Sequence, residues 1–267
     1  MEKLERLRDM LARYAAEGLA VAFSGGIDSS LVLYLACHSG EPVQAVLLHS
    51  QLMPLRDREI AERVARECGA RLTVLEVDVT TSPEIMGNAP RRCYFCKKTM
   101  FETLRAWCAA RGIPHIADGT NRDDLTVYRP GLQALRELGI RSPLADCGFT
   151  KAEVREAAAA LGISVAARPS APCMATRLPY GTPLDFAVLR RLEEGEAAMK
   201  ALSFPVCRLR LHGGLLRVEI PPDRFPDLME RRTSVLEALR ALQFDYITLD
   251  LEGFRSGSMD VGVMRHE

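Results

Sequence analysis

The sequence carries no net charge: 35 Lys and Arg stand against 35 Asp and Glu. A chain-wide positive field for holding long nucleic acids is therefore absent. It also lacks any run of about eighteen apolar residues, the length a membrane helix needs. The first residues, Met1 to Tyr14, are charged, and their apolar positions (Leu4, Leu7, Met10, Leu11, Tyr14) fall at helical spacing, which is not the apolar core of a secretion signal. No internal repeat or low-complexity tract is present. These absences lead us to expect a cytoplasmic protein with no membrane contact and no nucleic-acid partner. In that reducing compartment the 8 cysteines read as thiols, metal ligands or catalytic groups and not as a disulfide framework.

What is present is ordinary for a globular protein. Apolar residues make up 48% and charged residues 26% of 267 positions. That length holds a domain of about 150–180 residues and a smaller one. Through residues 1–167 strand and helix alternate. Strands are expected at Leu19–Phe23, Pro42–His49, Arg71–Val77, Pro114–Ala117 and Ile163–Ala166. Helices are expected at Asp28–Cys37, Leu55–Cys68, Lys97–Arg111 and from a capping box at Thr150–Glu153 to Leu161. This order implies an α/β fold: a parallel sheet with helices on both faces and ligands at the carboxyl ends of its strands. The texture changes in residues 168–182, where Pro169, Pro172 and Pro179 forbid a continuous helix. Residues 183–267 then read as a small α+β domain: a helix opened by Thr182-Pro183 with Asp185, strands at Val206–Leu211 and Leu215–Ile220 joined by His212-Gly213-Gly214, a helix Asp223–Leu242 and a strand Tyr246–Leu251. Arginines are frequent in this last third, among them Arg190, Arg191, Arg208, Arg210 and Arg217; they are either solvated faces or a phosphate surface.

The sharpest local signal is Ser24-Gly25-Gly26-Ile27-Asp28-Ser29-Ser30, between the apolar strand and a helical run. Adjacent glycines let the backbone turn and approach a ligand without a Cβ clash. Successive amides and a helix N-terminus then favour a phosphate. Ser24, Ser29 and Ser30 bring hydroxyl donors. Asp28 would repel a bare phosphate, so its presence points to Mg²⁺ shared with phosphates. No Gly-Lys-Ser/Thr follows, so the loop is not of Walker A type.

Cys93-Tyr94-Phe95-Cys96 reads as a redox pair, a metal clip or a coincidence. Arg91, Arg92, Lys97 and Lys98 beside it favour the thiolate. Cys173, in Pro169-Ser170-Ala171-Pro172-Cys173-Met174-Ala175-Thr176-Arg177-Leu178-Pro179-Tyr180-Gly181, is either a nucleophile or ligand on a proline-fixed loop or a buried linker cysteine. Three thiolates, Cys93, Cys96 and Cys173, suit a 4Fe-4S cluster with one open iron, or zinc with a fourth ligand. Cys37, Cys68, Cys108, Cys147 and Cys207 have no such context and read as structural.

The glycine loop resembles the PP-loop of ATP pyrophosphatases, which cleave ATP between the α- and β-phosphates. With the proline-rich cysteine motif and the ending Thr248-Leu249-Asp250-Leu251-Glu252-Gly253-Phe254-Arg255-Ser256-Gly257-Ser258-Met259, the whole chain resembles the LarE family, sulfur transferases of nickel-pincer cofactor synthesis in lactate racemase maturation. The resemblance implies adenylation of the carboxylates of pyridinium-3,5-biscarboxylic acid mononucleotide by ATP, and their conversion to thiocarboxylates. It implies ATP on Ser24, Gly25, Gly26, Asp28, Ser29 and Ser30 with Mg²⁺. Asp118-Gly119-Thr120-Asn121, by itself a turn, falls where PP-loop enzymes place substrate-facing residues. Arg177 and Glu196 would stand near the reacting cysteine, and Arg208 and Arg255 near a phosphate or carboxylate. Cys93 and Cys96 resemble the three-cysteine members, in which a 4Fe-4S cluster relays sulfide. Cys173 is then a cluster ligand, or else the sulfur donor itself. A ring-like homo-oligomer, a hexamer, is the assembly implied. A tRNA thiolase, with the same loop and a three-cysteine cluster, is the alternative; it should bind RNA with a steep salt dependence.

Overall fold

The computed structural model describes residues 2–127, 129–168, 172–255 and 257–259. Pro169, Ser170 and Ala171 of the cysteine motif and Ser256 of the C-terminal motif lie outside them. The described elements run in the order α1 (Glu2–Glu17), β1 (Leu19–Ala22), α2 (Ile27–Cys37), β2 (Val43–His49), α3 (Leu55–Glu67), β3 (Leu72–Glu76), α4 (Pro83–Met86), α5 (Arg92–Ala109), β4 (His115–Ala117), α6 (Gly131–Glu137), α7 (Pro143–Asp146), α8 (Lys151–Ala160), α9 (Phe186–Ala201), β5 (Arg208–His212), β6 (Leu215–Glu219), α10 (Phe225–Glu230), α11 (Arg232–Arg240) and β7 (Tyr246–Leu249). The chain divides into two compact units. One holds Met1–Ser82 and Arg91–Ala171; the other holds Pro83–Pro90 and Pro172–Glu267.

In the first unit the strands form one parallel sheet in the order β3-β2-β1-β4. β1 lies inside the sheet, and Leu19, Ala20 and Val21 are buried, as a strand covered on both faces requires. Leu31, Val32, Leu33 and Leu35 of α2 pack in the same core as Leu7 and Leu11 of α1, Val64 of α3 and Val154 of α8. The strand expected at Ile163–Ala166 is a turn instead. Ala166 N–H reaches the Ile163 carbonyl at 3.0 Å, and Arg168 N–H the Val165 carbonyl at 3.0 Å. Ile163 and Val165 are nonetheless buried, so their alternation marks a side that faces the core and not a strand. α5 begins at Arg92, five residues before the expected Lys97, so Cys93 and Cys96 stand within the helix and not ahead of it. No proline or glycine occupies residues 91–96 to delay the start, and Pro90 precedes it.

In the second unit β5 pairs antiparallel with β6, and β6 parallel with β7. Leu209, Leu211, Leu216 and Val218 are buried on one face, and Leu189, Leu192 and Met199 of α9 and Leu239 of α11 supply further buried apolar side chains of this unit. Asp185, not Thr182, caps α9: its carboxylate accepts the N–H groups of Ala187 at 2.8 Å and Val188 at 3.2 Å. The single helix expected over Asp223–Leu242 is broken at Arg231 into α10 and α11. Thr233 and Ser234 weaken a helix there, and the Arg231 guanidinium is engaged by the Leu202 carbonyl at 3.2 Å.

Candidate active site

β1 has β2 on one side and β4 on the other, so the chain leaves its carboxyl end where the strand order reverses, the place where open α/β sheets hold ligands. Phe23 N–H still pairs with the Val46 carbonyl at 2.8 Å; then the backbone turns through Gly25, at φ +71°, into α2. A Cβ on Gly25 would stand 2.9 Å from Ala61 Cα, so glycine is required both by conformation and by the approach of α3. Inside the turn Gly26 N–H donates to Ser24 Oγ at 3.4 Å, and Ser29 Oγ donates to the Gly26 carbonyl at 3.1 Å. Ser30 is fully buried, and its hydroxyl donates to the same carbonyl at 2.8 Å. Its side chain therefore braces the turn. Gly119, after β4, also has no room for a Cβ, which would meet Ser29 N at 2.6 Å.

Beside this turn lies a cavity of about 330 Å³. Ser24, Gly26, Asp28 and Ser29 line it, with Asp118, Gly119 and Thr120 from the β4 turn. Leu47, Leu48, Met53, Met100 and Phe101 give it apolar walls, and Lys97 and Arg129 give it cations. The Asp28 carboxylate accepts Asn121 Nδ2 at 3.1 Å and forms an ion pair with Lys151. Asn121 is oriented by the N–H groups of Asp123 at 2.9 Å and Asp124 at 3.2 Å on its Oδ1. The Asp118-Gly119-Thr120-Asn121 turn is thus part of the site. Arg129 and Lys151 were not singled out from the sequence, and Lys97 was read there as a cation beside the Cys93–Cys96 pair and not as a wall of this cavity. Lys151 was visible there merely as the first residue of the capped helix.

The second unit gathers a different constellation. Along β5 Arg208, Arg210 and His212 alternate onto one side, opposite Glu219 and Arg217 of β6. Arg177 donates from Nε and Nη2 to both oxygens of Glu196 at 2.8 and 2.9 Å, with both side chains buried. Its Nη1 also holds the carbonyls of Pro172 at 3.0 Å and Cys173 at 3.3 Å, so the buried pair fixes the backbone that carries the half-buried thiol. Glu219 is fully buried and accepts from Arg210 at 3.2 Å, Arg217 at 2.8 Å and Ser258 at 2.7 Å. Asp250 lies 3.6 Å from Arg217 and 3.7 Å from Arg255, and Arg255 also pairs with the exposed Glu252. Burial pulls the Arg208 and Arg210 guanidiniums below their ordinary pKa, and burial with Arg217 does the same to His212. Five guanidiniums (Arg177, Arg208, Arg210, Arg217, Arg255) stand among four carboxylates (Glu196, Glu219, Asp250, Glu252), an excess of one positive charge. Glu219 and Arg210 were not chosen from the sequence as site residues.

The cysteines separate into two groups. Cys93 and Cys96 sit in the first two turns of α5 in the first unit, half-buried, and Cys173 belongs to the second unit. At this spacing two helical side chains share a face. Cys96 Sγ is 3.9 Å from Met100 Sδ. Among the described residues no group of three or more His, Cys, Asp or Glu is assembled as a metal site. Burial pushes the Cys37 and Cys108 thiols up to about 11 and Cys68 to about 12, and raises Cys147 and Cys207 as well. These five are protonated structural thiols.

Comparison with known proteins agrees with this architecture. The chain is 36% identical over 244 residues to the pyridinium-3,5-bisthiocarboxylic acid mononucleotide synthase of Lactiplantibacillus plantarum, a match covering 91% of this chain and 88% of that protein. The chain belongs to the LarE family. An uncharacterized protein of Synechocystis, slr1717, is 34% identical over 262 residues, a match covering 97% of each chain. The asparagine synthase family model matches residues 5–104, which include the glycine loop. Among solved structures, an NMN synthetase from Francisella tularensis superposes with a TM-score of 0.50 at 17% identity, over 64% of this chain and 74% of that one; it shares the fold. No helix among the described residues is long and apolar enough to cross a membrane.

Proposed function

We propose that this LarE-family chain is an ATP-dependent sulfur transferase, a pyridinium-3,5-bisthiocarboxylic acid mononucleotide synthase. The observation that carries the reading is the cavity at the end of β1, lined by the glycine loop, serine hydroxyls, two cations and apolar side chains, a lining suited to a triphosphate and a base. A substrate carboxylate oxygen attacks the α-phosphorus of ATP, the α–β bridging bond breaks, and pyrophosphate leaves toward the loop of Ser24, Gly25, Gly26, Ser29 and Ser30. The acyl–AMP ester replaces a poor leaving oxygen with AMP. A sulfur nucleophile then attacks the acyl carbon, AMP departs, and the carboxylate has become a thiocarboxylate. Repetition converts the second carboxylate.

Guanidiniums outnumber carboxylates in this cluster, and we assign the mononucleotide phosphate to the face carrying Arg208, with Arg255 beside it. Arg177, tied to Glu196, holds the Cys173 loop. Asp28, the carboxylate nearest the loop glycines, supplies with ATP oxygens the hard donors that Mg²⁺ takes, and the ion would offset phosphate charge. Cys93 and Cys96 on one helical face are a fitting half of a thiolate set that Cys173 would complete, and a 4Fe-4S cluster held there would offer an open iron for sulfide. We place the protein in the cytoplasm as a homo-oligomer, a hexamer, on the family resemblance. A tRNA thiolase shares the loop and the thiols, but the neutral chain and the LarE similarity over both units favour the small mononucleotide.

The test is pyrophosphate release from ATP with the pyridinium biscarboxylate mononucleotide. Wild-type protein should release it, and Asp28→Asn should release at least about a hundredfold less, the scale of losing a charge-stabilising group. Undiminished release in the variant would remove the loop from the mechanism.

A further inference from the structure

The carbonyl of Gly25 is the part of the loop that a phosphate must not meet. A trans peptide carries its C=O and the next N–H on opposite sides, so the direction of the Gly25 carbonyl sets that of the Gly26 N–H. Gly26 lines the cavity, and its N–H already points to Ser24 Oγ there. Gly25, without a Cβ, is the residue best able to let this peptide flip, which would turn a carbonyl dipole toward the anion.

One side chain stands against that flip. Arg168 Nη1 lies 3.5 Å from the Gly25 carbonyl, and its Nη2 donates to Asp57 Oδ1 at 2.5 Å. Asp57 is nearly buried, in the first turn of α3, the same helix whose Ala61 backbone abuts Gly25 Cα. The loop is therefore clamped twice on α3: by contact at Ala61, and through one guanidinium at Asp57. Arg168 is aimed there by the turn that replaces the expected last strand, closed by its own N–H on the Val165 carbonyl and steadied by Arg155 on the Ala166 carbonyl at 3.2 Å. None of the ATP-cavity wall is built by Arg168 itself.

We propose that Arg168, held by Asp57, is a positioning residue that fixes the Gly25–Gly26 peptide with its N–H toward the ATP phosphates; this rests on the loop's being the ATP site. A guanidinium suits the task because it engages a carbonyl and a carboxylate from one rigid plane.

The test is calorimetric titration of full-length protein with ATP and magnesium chloride. Arg168→Ala should bind ATP about tenfold or more weakly, the scale of one misdirected hydrogen bond to a charged group. Added methylguanidinium should restore most of the affinity, which a loss of general packing would not allow. Folded Arg168→Ala with unchanged affinity, or with a loss that methylguanidinium leaves in place, overturns the proposal. Should Arg168→Ala not fold, Asp57→Asn decides: weaker binding supports the clamp and unchanged binding overturns it. Wild-type protein that does not bind ATP removes the loop reading and this proposal together, whereas normal wild-type binding with an indifferent variant removes the proposal alone.

Discussion

Glu196 holds a carboxylate where water hardly reaches, and it does so because Arg177 meets both of its oxygens and the Leu209 N–H adds a third donor at 3.2 Å. Removing one partner of such a pair strands the other charge, which costs about 3–5 kcal/mol, while replacing both with apolar groups is often neutral. Glu196→Ala should lower the urea unfolding free energy by that amount, and the double variant Glu196→Leu, Arg177→Met should recover most of it. A single-variant loss below about 1 kcal/mol would mean that Arg177 finds water or another carboxylate. The double variant should still lose sulfur transfer, since no guanidinium then ties the Pro172 and Cys173 carbonyls. Glu196 was legible. Leu189, Leu192, Glu196 and Met199 keep one helical stripe, so the glutamate occupies a position that the spacing assigns to an apolar residue, unlike its neighbours Glu193 and Glu194. Glu219 was not legible, because in a strand of Leu215-Leu216-Arg217-Val218-Glu219 the polar residues alternate as a solvated face would. Its burial follows from what covers it, Ser258 from a segment 39 residues further on, and no local pattern announces that.

At the scale of elements, the start signals of α2 and α8 were read correctly, while the cap of α9 was placed at Thr182 and lies at Asp185. The capping box of α8 is present in full: Thr150 Oγ1 accepts the Glu153 N–H at 3.2 Å and Glu153 accepts the Thr150 N–H at 2.8 Å. The strand–glycine turn–helix unit was read just as directly, because its geometry follows from two adjacent glycines. The misses share a cause. In both α5 and the turn after α8 a local pattern stood for more than it fixed: nothing in residues 91–96 delays the helix, and the alternation of Ile163 and Val165 marks burial without strand pairing. The capping box carries a prediction in pH. Lys3, then the Thr150 N–H, hold the Glu153 carboxyl well below its ordinary 4.5, at about 2. A carboxyl depressed on folding adds stability above its unfolded value, and that share fades as pH falls from about 4.5 toward about 2. Its side chain is 38% exposed, so solvent screens the gain and the cap hydrogen bond is the firmer term. Thr150→Ala should lose about 1 kcal/mol at pH 7. Glu153→Gln should flatten the fall in urea midpoint between pH 5 and pH 3; an unchanged slope would show that other carboxylates govern the acid limb.

Across the whole molecule the neutral total hides a division of labour. Acids and bases cancel over the chain, yet one unit keeps phosphate-facing amides beside Asp28, while the other keeps surplus guanidiniums beside Cys173. On the proposed reading the loop that handles ATP lies in the first unit and Cys173 in the second, and a variant can separate their roles. Cys173→Ser should still release pyrophosphate while forming no thiocarboxylate, whereas Asp28→Asn loses both. The role of the thiol then turns on atoms. A sacrificed Cys173 forms a thioester with the acyl group, its Cβ–S bond breaks, sulfur stays with the product, and the chain becomes lighter by the elements of H₂S. A Cys173 that only ligates a cluster leaves the mass unchanged and needs sulfide from outside. Cys93 and Cys96, adjacent on one helical face, are not needed if Cys173 is sacrificed, and would be used in the proposed cluster. We therefore expect anaerobically purified protein to carry about four irons per chain, Cys173→Ser to lose them, and turnover with added sulfide to leave the wild-type mass intact. Iron-free protein of full activity whose mass drops by one H₂S per sulfur delivered would instead make Cys173 the donor, and would leave the paired thiols of α5 without a part in the reaction.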